Sequence, residues 1–84
     1  MMKSRYQFAA DVVRDGLSLE LTDETWNPLA KVFRCDANNT LTVSVFAKGL
    51  PFTEIEKLVL MARKELGPFK DGTPLPDQLE LDAG

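Results

Sequence analysis

The side chains that most often carry out nucleophilic, acid–base or metal chemistry are sparse in this sequence. Histidine is absent and there is one cysteine, Cys35. Without an imidazole, the usual hydrolase arrangements lack their base, and most zinc and copper sites lack a ligand. An unpaired cysteine on a predicted strand, with no histidine to activate it, usually packs as a small apolar side chain. We therefore expect Cys35 to be structural.

Carboxylates are the remaining candidates for chemistry, because the chain has 13 Asp and Glu residues. The nearest clusters are Asp23 with Glu24 and Asp11 with Asp15, and neither has the spacing of a calcium loop. No glycine-rich phosphate-binding pattern occurs. We expect both clusters to be solvated surface. The sequence thus predicts no catalytic, cofactor-binding or metal-binding residue. A small-ligand-binding or metal-binding protein, or a minor enzyme, that uses carboxylates and Cys35 stays open as the alternative.

The charge of the chain argues against nucleic acid as its partner. The formal net charge is −3 and the isoelectric point is about 4.8, whereas binding to DNA or RNA depends on cations that contact phosphates. Tyr6 and Phe8 alternate as in a base-stacking platform. Alternating aromatic residues on a strand more often belong to a core.

The size and composition predict one small domain. The 84 residues are 44% hydrophobic, which suits a single globular core. A lone cysteine forms no internal disulfide, so we expect a reducing, cytoplasmic location. The basic N-terminal residues precede no long apolar stretch, so no signal peptide is predicted. The longest wholly apolar run, residues 58–62, is far too short to span a membrane.

Residues 53–66 have the strongest local pattern, that of an amphipathic helix. Thr53 and Glu56 have the spacing of a capping box, and Gly67 followed by Pro68 is typical of a helix end. The helical period places one apolar stripe on a single face, formed by Ile55, Leu58, Val59, Ala62 and Leu66.

Alternating residues predict the strands. Residues 41–47 and 30–35 form a hairpin around Asn38 and Asn39, with a register that would put Val32 opposite Val45. Residues 17–21 alternate cleanly after an Asp15–Gly16 turn. Residues 6–13 suit either a strand or a short helix, and the turn favours a strand.

These elements predict an α+β fold: a mostly antiparallel sheet of about four strands, in two hairpins, with one helix on one face. We expect residues 1–67 to form the domain. Residues 68–84 contain several Pro and Gly residues and predict a loosely held C-terminal tail, whose possible anchors are Phe69, Leu75, Leu79 and Leu81.

Some apolar residues remain once this core is assigned. The helix can cover one face of the sheet, so Phe33 and Phe46, with Leu29 and Cys35, should lie on the reverse face and need another cover. The tail, a second copy of the chain or a different protein could supply it. The candidate interaction surface comprises Trp26, Phe33, Phe46, Leu60 and Phe69.

These observations favour an interaction or accessory protein without catalytic activity. We expect it to bind another protein or itself, and its acidic charge would suit a basic partner surface. No cofactor, nucleic acid or membrane partner is expected.

Overall fold

The computed structural model describes residues 4–76, in which four strands precede one helix. Each strand pairs antiparallel with the next, so the sheet has the order β1-β2-β3-β4. This arrangement confirms the predicted α+β class. Within residues 4–76 no helix has the length and apolar character needed to cross a membrane. The elements are β1 (Arg5–Asp11), β2 (Gly16–Thr22), β3 (Pro28–Cys35), β4 (Thr40–Val45) and α1 (Phe52–Glu65).

The core lies between α1 and the two central strands. The strand register aligns Leu19 with Val32, and Leu21 with Ala30, on the face that the helix covers. From the helix side, the buried residues are Leu58, Ala62 and Leu66. Burial of each Leu or Val side chain favours folding by about 1.5–3 kcal/mol, so these residues form the main apolar core of the domain.

The helix covers β2 and β3 but not the two outer strands. On the same sheet face, Phe8 of β1 and both Val43 and Val45 of β4 are about half exposed. One helix is too narrow for four strands, because strands lie about 4.8 Å apart and a helix is about 10 Å wide. An apolar strip therefore remains uncovered on each side of α1.

The second hairpin has a different register from the predicted one. Val32 pairs with Val43, and Ala30 pairs with Val45. The predicted register was wrong because the loop holds four residues, 36–39, and Cys35 already pairs with Thr40.

The first hairpin also has a longer loop than the Asp-Gly pair suggested. β1 is a strand, as the turn favoured, and Asp11 pairs with Gly16 across a loop of residues 12–15. The left-handed residue is Asp15, with φ of 54°, while Gly16 belongs to β2. Asp tolerates this conformation better than most residues, which leaves Gly16 available for a packing role.

The predicted capping box at the start of α1 was wrong. The helix begins at Phe52, after Pro51, and no side chain caps it. The carbonyl of Pro51 accepts the N–H of Glu54 at 3.0 Å, and proline near a helix start is favourable because its φ is already fixed. The C-terminal prediction is confirmed, since Gly67 is left-handed with φ of 64°.

The described part of the tail, residues 68–76, packs against the domain. Phe69 is buried, and Leu75 contacts the core cluster. The guanidinium group of Arg34 donates to the carbonyls of Leu66 and Pro68. The prediction of a loosely held tail was therefore wrong for residues 68–76. Two of the four predicted anchors, Phe69 and Leu75, pack against the domain. Leu79 and Leu81 lie outside the described residues.

Asp36 links this segment to the hairpin loop. Its carboxylate accepts the N–H of Lys70 at 2.8 Å and lies 3.1 Å from Nε of Arg34. Burial acts to raise the pKa of Asp36, but the hydrogen bond from Lys70 and the hydrogen bond and positive charge of Arg34 lower it further, so the pKa lies below its usual range. The ionised carboxylate thus holds the segment in place.

Candidate interaction surface

The structure separates the five predicted surface residues into two groups. Trp26 and Phe46 are 52% and 56% exposed, and Leu60 is exposed on the outer side of α1. Phe33 and Phe69 are only 6% and 3% exposed. A partner cannot reach these two rings without unfolding part of the domain, so assigning them to a surface was wrong.

Phe33 lies on the reverse face of the sheet, as predicted, but the domain itself covers it. A Cβ atom at Gly16 would come within 2.5 Å of the Phe33 ring, so the ring occupies the space that a side chain would take. The guanidinium carbon of Arg14 lies 4.3 Å from the ring centroid, and the Lys31 ammonium nitrogen lies 5.9 Å from it. An aromatic ring that covers a glycine on the neighbouring strand stabilises β-sheets. The reverse face therefore needs no external cover at this position.

The loop between β2 and β3 presents Trp26 on a hydrogen-bonded frame. Oδ1 of Asp23 accepts the backbone N–H groups of Thr25 and Asn27 at 2.8 and 3.0 Å, and Oδ2 accepts the Asn27 side-chain amide at 3.2 Å. The Thr25 hydroxyl also donates to Oδ1 and is the main cause of a lowered pKa at Asp23. An Asp side chain that bonds the following backbone is a known way to fix a turn.

Trp26 itself has an unusual backbone conformation. Its φ is 67°, in the left-handed region that costs a residue with a side chain about 1–2 kcal/mol. The N–H of Trp26 donates to the carbonyl of Asp23 at 3.1 Å. The guanidinium carbon of Arg5 lies 4.9 Å from the indole centroid, which is cation–π distance. A strained backbone that the surrounding bonds hold in place often marks a functional position.

Two further exposed aromatic residues lie at the same end of the molecule. Phe46 directly follows β4, and its N–H donates to the carbonyl of Leu29 at 2.8 Å, near the start of β3. Phe52 begins α1 and is 74% exposed. The Ser4 hydroxyl, just before β1, donates to Glu54 in the first turn of α1. The helix therefore begins at the end where β1 starts and β2 stops. We call Trp26, Phe46 and Phe52 the aromatic end.

Phe52 is the residue that the sequence interpretation missed. The sequence predicts a helix over residues 53–66, which does not include Phe52, whereas the helix begins at Phe52. Pro51 is the signal that could have located it, because the N–H groups at a helix start have no partner within the helix and the N–H that proline lacks is not needed there. Leu60 lies two turns further along α1 and is separate from the aromatic end. Val12 and Val13, the most exposed large apolar residues between residues 4 and 76, lie in the loop at the opposite end of β1.

The residues that were considered for chemistry are dispersed. Cys35 is half-buried, and its thiol donates to the carbonyl of Arg14 at 3.4 Å. Within the part of the chain that the structure describes, no three or more His, Cys, Asp or Glu side chains gather in a way that could hold a metal ion. Searches against protein-family models, curated proteins and solved structures find no match to this chain.

Proposed function

We propose that this domain is a cytoplasmic, non-enzymatic interaction module that binds another protein, or a second copy of itself, through the aromatic end. The observation that carries the proposal is Trp26: a large aromatic side chain, half exposed, on a loop whose backbone is strained and fixed by Asp23. The unpaired Cys35 suits a reducing compartment.

Two energetic arguments favour a binding role for the aromatic end. Trp is enriched among the residues that contribute most to protein interfaces, often more than about 2 kcal/mol each. A loop that is already ordered loses little conformational entropy when a partner binds. The hydrogen bonds of Asp23 thus prepare Trp26 for contact, and Phe46 and Phe52 extend the apolar area around it.

The surroundings of Trp26 suggest the chemistry of the partner surface. Asp23 and the exposed Glu24 lie beside it in the same loop, and the whole chain carries a net charge of −3. Arg5 is already engaged with the indole ring. We therefore expect an apolar cleft for the aromatic rings, with basic residues at its rim that meet the acidic loop.

The first test compares matched surface variants in affinity capture from the source cells, with captured proteins quantified by mass spectrometry. Trp26→Ala and Phe46→Ser should each lower the recovery of a specific partner about tenfold or more, which corresponds to about 1.4 kcal/mol. Val13→Ser is the control, because it removes an apolar side chain that is even more exposed and lies at the opposite end. If the three variants capture the same proteins in the same amounts, the aromatic end is not the binding surface.

Sedimentation velocity of the purified chain separates self-association from binding to a different protein. A concentration-dependent dimer that Trp26→Ala abolishes and Val13→Ser leaves intact identifies a second copy as the partner. Trp26 is the single tryptophan of the chain, so a blue shift of its emission on association reports burial of the indole directly. Association without any change in this emission would contradict the proposal.

A further inference from the structure

The two edges of the sheet differ in how well they resist pairing with another strand. Edge strands of native proteins usually carry proline or charged residues, which prevent such pairing. β1 carries Arg5 and Asp11, whereas Thr40–Val45 of β4 contains neither proline nor a charged residue. Among the described residues, none pairs with the outer side of β4, which is the last strand of the sheet. Of the two edges, β4 is therefore the one suited to accept another strand.

The hydrogen bonds between β3 and β4 identify the backbone groups that face this outer side. The N–H of Phe46 donates to the carbonyl of Leu29 in β3, so the backbone of Phe46 is directed towards β3. Consecutive residues of an antiparallel strand direct their N–H and C=O groups alternately to one side and to the other. Leu41, Val43 and Val45 therefore direct their backbone groups away from β3, towards the open edge.

The side chains of these three residues are apolar and lie on the helix side of the sheet. Val43 pairs with the buried Val32, and Val45 pairs with the buried Ala30. Both Val43 and Val45 are nevertheless about half exposed, because α1 packs on β2 and β3 but not on β4. The strand thus combines outward-facing backbone groups with half-exposed apolar side chains, and one added strand would cover both.

β4 is complementary to a second copy of itself. In an antiparallel pair with a two-fold axis at Val43, this residue meets Val43 of the second copy, and Leu41 meets Val45 of the second copy. Each such pair exchanges two hydrogen bonds, so all three outward-facing residues of both copies find a partner within β4. Moving the axis by one residue leaves one of the three without such a partner. On the opposite face of the sheet, Thr42 meets Ser44 of the second copy, which is a favourable pair of hydroxyl side chains.

The charge of the chain limits where two copies can meet. Each copy has a net charge of −3, and like charges directly opposite each other on neighbouring strands are destabilising. Because β4 has no charged residue, its self-pairing places no like charges opposite each other. This strand therefore allows two acidic chains to associate without direct repulsion at the contact.

We propose that two copies of this domain pair antiparallel along β4, with the two-fold axis at Val43, and so join their sheets into one. The axis is perpendicular to the sheet, so both helices lie on the same face. One strand pair is a small contact, and interfaces below about 1,200 Å² are typical of weak, transient complexes. The dimer therefore forms at high protein concentration and dissociates on dilution.

This association is independent of the aromatic end. Trp26 lies in the loop between β2 and β3, so Trp26→Ala leaves the pairing of β4 intact. Only an association that Trp26→Ala abolishes should shift the emission of Trp26. The two contacts can therefore fail or succeed separately.

Opposite charges at the centre of the pair provide a test by rescue. Val43→Lys and Val43→Glu each place two like charges opposite each other, so each variant alone should remain monomeric in sedimentation velocity at concentrations where the wild type dimerises. An equimolar mixture of the two should restore the dimer, because the lysine of one chain then lies opposite the glutamate of the other. A mixture that remains monomeric, or a wild type that is monomeric up to millimolar concentration, would overturn the proposal.

Phe8→Lys is the matched control for these variants. Phe8 is about half exposed, like Val43, and lies on the helix side of the other edge strand. This variant should therefore dimerise like the wild type. Loss of the dimer in Phe8→Lys would assign the contact to β1 and would also overturn the proposal.

Hydrogen exchange in the wild-type chain, followed residue by residue by NMR, checks the register without any substitution. In a sample that is mostly dimeric, exchange at the amides of Leu41, Val43 and Val45 should be about tenfold slower or more than in a dilute sample. The amides of Thr42 and Ser44, which point towards β3, should change much less. Slow exchange of the outward-facing amides at every concentration would show that the same chain covers the edge. Fast exchange at every concentration would leave the edge to a different protein, and either result contradicts self-pairing.

Discussion

Replacing Gly16 with alanine tests the packing of the reverse sheet face. A Cβ atom at this position would lie 2.4 Å from the carbonyl oxygen of Arg34 and 2.5 Å from two ring atoms of Phe33. Both distances are far below van der Waals contact, so the ring or the strand has to move. The ring has little free space to move into, because Phe33 is already buried.

The expected destabilisation follows from two opposing effects. Overpacking of a well-packed site costs about 1–3 kcal/mol, and contact with both a backbone oxygen and a confined ring places Gly16→Ala near the upper value. The alanine also restricts the unfolded chain, which favours folding by about 0.4–1 kcal/mol. We therefore expect a net loss of about 2 kcal/mol. For a domain of this size, that loss lowers the melting temperature by about 8–16 °C.

Urea denaturation followed by Trp26 fluorescence and far-UV circular dichroism measures this loss. If only the stability changes, the slope of the unfolding free energy against urea concentration stays the same as in the wild type. A double-mutant cycle with Phe33→Leu identifies the cause. In the Leu background the ring is gone, so Gly16→Ala should cost about 1 kcal/mol less. A Gly16→Ala protein as stable as the wild type, or an equal cost in both backgrounds, would refute the packing argument.

Three further perturbations have distinct expected outcomes. Leu58→Ala removes a fully buried side chain and should cost about 2–5 kcal/mol in urea denaturation, whereas the exposed Leu60→Ala on the same helix should stay within about 0.5 kcal/mol of wild type; similar costs would contradict the orientation of α1. The pKa of Asp36 is lowered in the folded state, so its contribution is present above the usual Asp range and lost as the pH falls through the folded pKa. Asp36→Asn should therefore cost about 2 kcal/mol at pH 7 and progressively less towards pH 3, and a cost independent of pH would show that the charge does not hold the C-terminal segment. Asp23→Ala removes the hydrogen bonds that fix the loop, so the fluorescence anisotropy of Trp26 should fall while the far-UV spectrum stays unchanged; an unaltered anisotropy would mean that the loop is rigid for another reason.

The local pattern of the sequence was sufficient to predict the four strands, the helix and their order along the chain. Period-two alternation located the strands, as in residues 17–21, and a 3.6-residue stripe located the helix, because these periods reflect which side chains share one face. The stripe also identified Leu58 and Ala62 as core residues. The end of the helix at Gly67 followed from backbone conformation alone, since a left-handed residue there favours glycine.

Loop length and the exact hairpin pairing did not follow from the pattern. The Asp15–Gly16 pair suggested a tight turn, but the structure gives the left-handed position to Asp15 and leaves Gly16 in β2. The reason is Phe33, whose ring needs the space of a missing side chain on the neighbouring strand. Such a requirement depends on residues 17 positions apart, so no local signal contains it.

Burial of individual aromatic residues was likewise decided only in three dimensions. The sequence correctly placed Phe33 on the face opposite the helix, yet its cover comes from Gly16 and Arg14, which are distant in the chain. Phe69 lies in a segment whose composition predicts a loose tail, but Arg34 and Asp36 hold that segment against the sheet. Composition and periodicity determine which face a side chain occupies. Whether that face meets water depends on long-range contacts, which arise only when the whole chain has folded.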